Sequence, residues 1–396
     1  MECVVEKEDL LRCLYLVQGV VEKRSSLPIL AHVLVECGKD TLSLGATDLE
    51  IGIRQQCKAA VRKPGSTTSD ARKLYEIIRE LPPERIAVRS TGSGWVEVSS
   101  GRSRFRLASL DPKEFPAIVQ PVVPSHGQEG KQMTPPACLP DGQVSFRGET
   151  LREMIEKTIF ATSPDETRLN LSGVFIEALP ACNAQTGQPQ SKLRMVASDG
   201  HRLALIEREA AIANPATWPK AILPRKGLVE ARKMLERTEG EVTLSIQGSI
   251  ACLRRDDAEL AMRLVEGEFP DYQQVIPRET VHTITFARDD LFGALRRLLV
   301  LTTERARGVK FHIEKERMEI SVNTPDLGEG VEEIPVFTHA GPITIGFNGR
   351  YLTEVLNVMD EGQHVTLLLT DPVSPGLLRA EEDAGFSYVI MPMRIF

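Results

Sequence analysis

Apolar positions along this chain fall into one pattern that recurs three times. Each round opens on a predicted amphipathic helix: EKEDLLRCLYLVQGVV from Glu6, GETLREMIEKTIFAT from Gly148, and ARDDLFGALRRLLVLTT from Ala287. The apolar residues return there at helical spacing, as in Leu10, Leu11, Leu14 and Val17, or Leu291, Leu295, Leu298 and Leu299, so one side of each helix is apolar. Segments of period-two alternation with turn residues follow. They read HVLVECGKDTLSLGATDLEIGIRQQC, then GVFIEAL with LRMVASDGHRLALIERE, then GVKFHIEKERMEISVNTPDLGEGVEEI, and they predict antiparallel hairpins. A second helix is predicted in every round: SDARKLYEIIREL, PRKGLVEARKMLERT and NGRYLTEVLNVMDEG. Ser69 and Asn348 are the expected N-caps, and Gly362 the expected stop of the last helix. Each round closes on further strands, RFRLASLDPKEFP, AELAMRLVEGEFPDY and FSYVIMPMRIF, which occupy equivalent places.

The expected fold class is therefore α+β, with three repeated domains, each of two helices packed on antiparallel sheets. Domain boundaries are expected at 1–124, 140–274 and 275–396, with a linker at 125–139 inside a Pro-, Gly- and Gln-rich stretch that has no periodicity. Such a unit buries its helix faces on its own sheets and leaves outer sheet edges free to pair with the next unit. Three copies can close alone or with a second chain, and a dimer makes a ring of six units.

Length supports several domains, since 396 residues exceed what one compact core usually serves. With 42% hydrophobic and 26% charged residues and no long unbroken apolar run, the composition is that of a soluble globular protein. The acidic start MECVVEKEDLL lacks the basic, apolar character of a secretory signal, so the expected compartment is the cytoplasm. Seven scattered cysteines, none in a C-x-x-C pair, read as buried or idle thiols. A net charge of −7 argues against a protein that grips phosphates tightly, but not against one that surrounds DNA loosely with a basic inner face.

Catalytic signatures are missing: there is no G-x-x-x-x-G-K-[ST], no H-E-x-x-H and no G-x-S-x-G. Asp199-Gly200-His201-Arg202 offers a titratable histidine, yet reads more simply as a turn with a polar residue at a pocket rim. The acidic runs Asp256-Asp257 and Glu381-Glu382-Asp383 read as solvated loops. No enzyme activity, metal or cofactor is expected.

Taken in order, RSSLPILAHVLVE, TDLEIGI, SGRSRFRLASL, SDGHRLAL, LPRKGL, EGEFPDYQQVIP, RGVKF, GFNGRYLTEVLN and YVIMPMR cover essentially the whole chain. This series resembles the bacterial DNA sliding clamp family, the beta subunit of DNA polymerase III. The resemblance implies the DNA clamp fold, a head-to-tail homodimeric ring with twelve helices around the hole, and a role as a processivity factor that encircles duplex DNA. It also implies a pocket for short peptides of polymerases, the clamp loader and repair proteins. By motif position that pocket would use Leu171, then Ser198, Gly200, His201, Arg202 and Leu203, then Pro270 and Val275. From the last repeat it would use Asn348, Tyr351, Val373 and Ser374, and the terminal run Val389, Ile390, Met391, Pro392, Met393 and Arg394. Leu, Val, Ile, Met and Pro walls suit hydrophobic peptide anchors, and methionine adapts to several partners.

The same resemblance places DNA contacts at Arg24, Arg168, Arg225 and Lys226, cations that hold phosphate without reading bases. It places a dimer contact at Phe105 and Leu107 of one chain with Val300 and Leu301 of the other. Gln274 and Ala306 depart from the family's pattern, which bears on peptide preference. Two other readings remain, a specialised duplicate clamp, for instance one conferring inhibitor tolerance, and a peptide-binding hub with no DNA role.

Overall fold

A computed structural model describes the chain except for residues 23–26, 92–93, 119–141, 166, 183–188, 213, 237–239, 304–306 and 395–396. The expected linker at 125–139 lies outside the described residues, as do Arg24 and Ala306. Six helices are described, two per repeat: α1 (Lys7–Val17), α2 (Ala71–Glu80), α3 (Gly148–Ile159), α4 (Arg225–Leu235), α5 (Arg288–Leu298) and α6 (Gly349–Asn357). The predicted stripes face inward. Leu10, Cys13, Leu14 and Val17 of α1 are buried, as are Leu291, Ala294, Leu295 and Leu298 of α5. Burying each such leucine contributes about 1.5–3 kcal/mol, far more than helix propensity does.

Two details of the helix ends differ from expectation. Asp70, not Ser69, caps α2: its carboxylate accepts from the Lys73 amide at 2.8 Å. Ser69 belongs to the strand Gly65–Asp70, opposite Val33, and its side chain is turned into the interior. Asn348 does cap α6, accepting from the Arg350 amide at 3.1 Å. Gly362, however, is not this helix's stop. The helix ends at Asn357, and Gly362, at φ +77°, sits in a later turn where its amide donates to Asp289 Oδ2.

By compactness the chain forms two units. The first comprises Met1–Arg152, Ala210–Pro219 and Lys226–Leu264, and the second Glu153–Glu209, Lys220–Arg225 and Val265–Phe396. The first unit carries a five-stranded sheet ending on Ser103–Ala108, and a nine-stranded sheet. In that larger sheet Ala258–Arg263, the closing strand of the second repeat, runs antiparallel to Ile51–Lys58 of the first, with Leu260 opposite Ile53 and Met262 opposite Ile51. The second unit carries another nine-stranded sheet and a four-stranded sheet ending on Gly328–Pro335. Its junction is built the same way. Asp383–Ile390, the closing strand of the third repeat, pairs with Arg202–Glu209 of the second, Tyr388 opposite Ala204 and Ile390 opposite Arg202. Each junction thus joins the closing strand of one repeat to the third strand of the preceding repeat's meander.

The repeat extends to single turns. Thr47 Oγ1 donates to the Ile51 carbonyl at 2.8 Å, and Asp48 Oδ1 accepts from the amides of Glu50 and Ile51. Ser198 Oγ donates to the Arg202 carbonyl at 2.7 Å, and Asp199 Oδ1 accepts from the amides of His201 and Arg202. Both crests are left-handed, Leu49 at φ +80° and Gly200 at φ +88°. Glycine adopts that conformation freely, whereas leucine is held there at a cost.

Candidate functional site

The turn at Gly200 forms one wall of a pocket in the second unit, with a volume of about 150 Å³. Its floor follows from strand register: Ser198 lies opposite Leu203, and Leu203 opposite Val389, so the three stand in one row across adjacent strands. Beneath them Val196, Leu205, Tyr272 and Leu377 complete a buried apolar cluster with Leu203 and Val389. Leu171 enters from the short helical turn Leu169–Leu171. The chain leaving the strand Ala258–Arg263 returns through Phe269, Pro270, Asp271, Tyr272 and Val275 to build the opposite side, and Met391 closes an end. Phe269 stacks on Phe175 with ring centroids 5.1 Å apart, which fixes this segment against the sheet.

Polar groups around the pocket are largely committed to one another. Arg202 is held by Asp199 at 3.0 Å, by Glu354 and by the Phe160 carbonyl at 2.7 Å, and its guanidinium stacks 4.2 Å from the centre of the Tyr351 ring. Tyr272 donates its hydroxyl proton to Glu177 and accepts from Arg194 at 2.5 Å. Burial and the Glu177 hydrogen bond push this phenol above its ordinary range, so it stays protonated. Asp271 turns to its own loop, accepting from the Gln273 amide and from Gln274 Nε2. What remains for a ligand is an apolar, shaped surface with Val275 and Met391 exposed at its rim.

Three family descriptions match in sequence: the N-terminal, central and C-terminal domains of the DNA polymerase III beta subunit, over residues 1–119, 145–271 and 273–394. The chain belongs to the DNA polymerase III beta subunit family. A beta sliding clamp of Caulobacter vibrioides is 34% identical and one of Pseudomonas aeruginosa 33% identical, both chains being covered in full in each comparison. Among solved structures, a C. crescentus beta sliding clamp superposes with a TM-score of 0.85 at 33% identity. A DNA polymerase III subunit beta from Bartonella birtlesii, bound to griselimycin, superposes at 0.86 with 29% identity; coverage is 100% on both sides for each.

Of the residues that the beta-subunit resemblance assigned to a peptide pocket, Leu171, Ser198, Gly200, Arg202, Leu203, Pro270, Val275, Val389 and Met391 line this cavity. His201 does not: its side chain is exposed, and its carbonyl accepts from the Met391 amide. Ile390 is fully buried, opposite Arg202. Tyr351 belongs to α6 and lies against the Arg202 guanidinium, Asn348 ends the strand Ile343–Asn348 and caps that helix, and Met393 donates its amide to the Gly346 carbonyl; none of the three is on the cavity wall. Val373, Ser374, Pro392 and Arg394 are likewise outside its lining. Phe269, Asp271 and Tyr272 were not among the expected residues, although they sit in the quoted segment EGEFPDYQQVIP; the Phe269-Pro270 pair that echoes Phe115-Pro116 was the available signal.

Among the cations the beta-subunit pattern assigned to DNA, Arg168 is exposed, with Asp165 at 3.7 Å, and a Cβ on Gly200 would stand 3.3 Å from its Nη1. Arg168 therefore sits at the pocket rim. Arg225 opens α4 and donates to Thr162 Oγ1 at 3.1 Å, while Lys226 is ion-paired with the buried Asp48. Phe105 and Val300, assigned to a dimer contact, are exposed in the single chain, Val300 at 78%. Leu107 and Leu301 are half-buried, and Leu301 rests against the backbone at Gly330 of the edge strand. Asp383 departs from its expected place in a solvated loop: it is half-buried between Lys157 and Arg208, each at 2.7 Å.

Proposed function

We propose that this protein is the processivity clamp of a replicative polymerase: two copies close head to tail around duplex DNA, and short hydrophobic peptides of polymerases, clamp loader and repair proteins dock between Leu203 and Phe269. It acts without catalysing a reaction, in the cytoplasm, where replication takes place. The observation that carries this reading is the pairing rule at the two junctions. Applied once more, the closing strand of the first repeat, Ser103–Ala108, pairs with the third meander strand of the last repeat, Gly328–Pro335, in another copy. Each of these two strands ends its sheet among the described residues. An open edge of that kind invites another chain, and a head-to-tail contact either closes or grows into a filament.

In this reading Phe105, Leu107, Val300 and Leu301 meet across the closing contact, and the domain boundaries remain 1–124, 140–274 and 275–396. Arg168, Arg225 and Lys226, with Arg24, serve the DNA side through weak, screened contacts that permit sliding. Half of the pocket residues assigned from the pattern converge on one apolar cavity, which supports the docking role.

The test is retention on circular against linearised plasmid, after loading by a clamp loader and gel filtration in high salt. Retention on the circle with loss from the line means topological linkage. Equal loss from both would leave a peptide-binding hub as the better account.

A further inference from the structure

The sheet face beneath the pocket changes character row by row. Ser198, Leu203 and Val389 floor the cavity. One same-face step along the strands, Val196 lies opposite Phe175 and Leu205; one step further, Arg194 lies opposite Glu177 and Glu207. That third row is acid, base, acid across three adjacent strands. Arg194 Nε donates to Glu207 at 2.8 Å, and its Nη1 lies 3.4 Å from Glu177, whose side chain is 5% exposed and also takes Lys220 at 3.0 Å. Burial acts upward on the Glu177 carboxyl, but the Tyr272 hydroxyl, Lys220 and Arg194 outweigh it and hold its pKa below the ordinary range, so it is charged at neutral pH.

Tyr272 bridges these rows. Its ring packs with Val196, Leu203 and Leu205 at the pocket, and its hydroxyl reaches the ion row, donating to Glu177 and accepting from Arg194. Among the described residues from 265 to 280, Tyr272 alone is buried. The same stretch supplies Phe269, Pro270, Asp271 and Val275 to the pocket. Its ends are tied by backbone bonds, the Val265 amide to the Ile222 carbonyl and the Val281 amide to the Leu369 carbonyl, and between them Asn170 holds the Glu268 carbonyl at 3.1 Å. A wall tied so sparsely takes its position from its one buried side chain. We propose that Glu177 and Arg194, neither of which lines the cavity, are positioning residues of the peptide pocket: they fix the Tyr272 hydroxyl, and through it the wall 265–280, where a peptide anchor meets it. This rests on the docking reading above and extends it to residues two rows behind the site. Without the hydroxyl's partners the wall stands in place in only a fraction of molecules, and apparent peptide affinity falls by that fraction.

The test uses the full chain and four variants: Glu177→Leu, Arg194→Met, Tyr272→Phe and Glu177→Gln. Anisotropy of a fluorescent polymerase-tail peptide reads affinity well below every melting temperature. Amide hydrogen exchange compares residues 265–280 with the strands Arg202–Glu209 and Asp383–Ile390. The first three variants each remove a bond of the hydroxyl and should weaken peptide binding about three- to tenfold. They should also speed exchange in 265–280 alone, with added peptide restoring protection. Glu177→Gln keeps an oxygen for the hydroxyl and should bind within about twofold of wild type. Should Glu177→Leu fail to fold, Tyr272→Phe, which deletes only the hydroxyl, carries the same expectation. A lowered Tm with unchanged peptide affinity, exchange that speeds equally throughout the sheet, or Glu177→Gln binding as weakly as Glu177→Leu would overturn the proposal. A wild-type chain that binds no such peptide would overturn the docking reading instead, and the exchange arm would still decide whether the hydroxyl holds the wall.

Discussion

Val300→Glu is the sharpest probe of ring closure, because in the single chain Val300 is 78% exposed and its replacement perturbs no core. Fully burying a valine contributes about 1.5–2 kcal/mol, so covering the exposed part returns a little over ~1 kcal/mol at each contact. A glutamate at the same point loses that gain and must shed water around a carboxylate that has no partner, at an effective cost of several kcal/mol. Taking a modest ~3 kcal/mol per contact, and two equivalent contacts in a closed two-copy ring, the dimer weakens by ~6 kcal/mol, or about 10⁴-fold in Kd. Sedimentation from nanomolar to micromolar protein reads this directly, with circular dichroism melts as the control for folding. The variant should be monomeric where the wild type is dimeric, with an unchanged melt, and should be lost from circular plasmid. A variant that dimerises at wild-type concentrations would refute the closing contact.

Three further outcomes are expected. Met391→Ala, at the exposed rim of the pocket, should weaken binding of a fluorescent polymerase-tail peptide by about 1–2 kcal/mol with no change in Tm; unchanged anisotropy titrations would remove Met391 from the site. Tyr272→Phe leaves Glu177 and Arg194 without their shared hydroxyl and should cost about 1–3 kcal/mol in urea unfolding, whereas an unaltered midpoint would contradict that network. Glu153 and Asp383 titrate below the usual carboxylate range: burial acts upward on both, but hydrogen bonds and charges from Arg208 and Lys157 outweigh it. A depressed folded value means the unfolded chain takes up protons first, so this stability is complete above about pH 5 and is lost as pH falls through about 4 and below. Asp383→Asn should flatten that acid limb, and an identical limb in wild type and variant would assign acid unfolding to other groups.

The helices and the threefold plan were legible in the sequence because they rest on local periodicity: Leu10, Leu14 and Val17 can share a face only on a helix, and the meander segments alternate as half-buried strands do. Asn348 was likewise readable as a cap, since capping needs only the residue and its next neighbours. Ser69 was not, because it and Asp70 are both good caps and the pairing of Ser69 with Val33, a contact distant in sequence, decides which one is free. The same limit divides the pocket residues. The motifs indicated the segments, but whether Val389 or Ile390 faces the cavity depends on strand register, and a one-residue step reverses the face. Phe269 and Tyr272 became pocket residues only through packing on Phe175 and hydrogen bonding to Glu177, partners about a hundred positions away in the chain. Asp383 reads as loop chemistry until Lys157 and Arg208 are brought to it. The sequence by itself determined which segments are helix and strand and that one plan recurs. Tertiary structure alone decided which side chains meet, because strand pairing and long-range burial are set by contacts that no local pattern encodes.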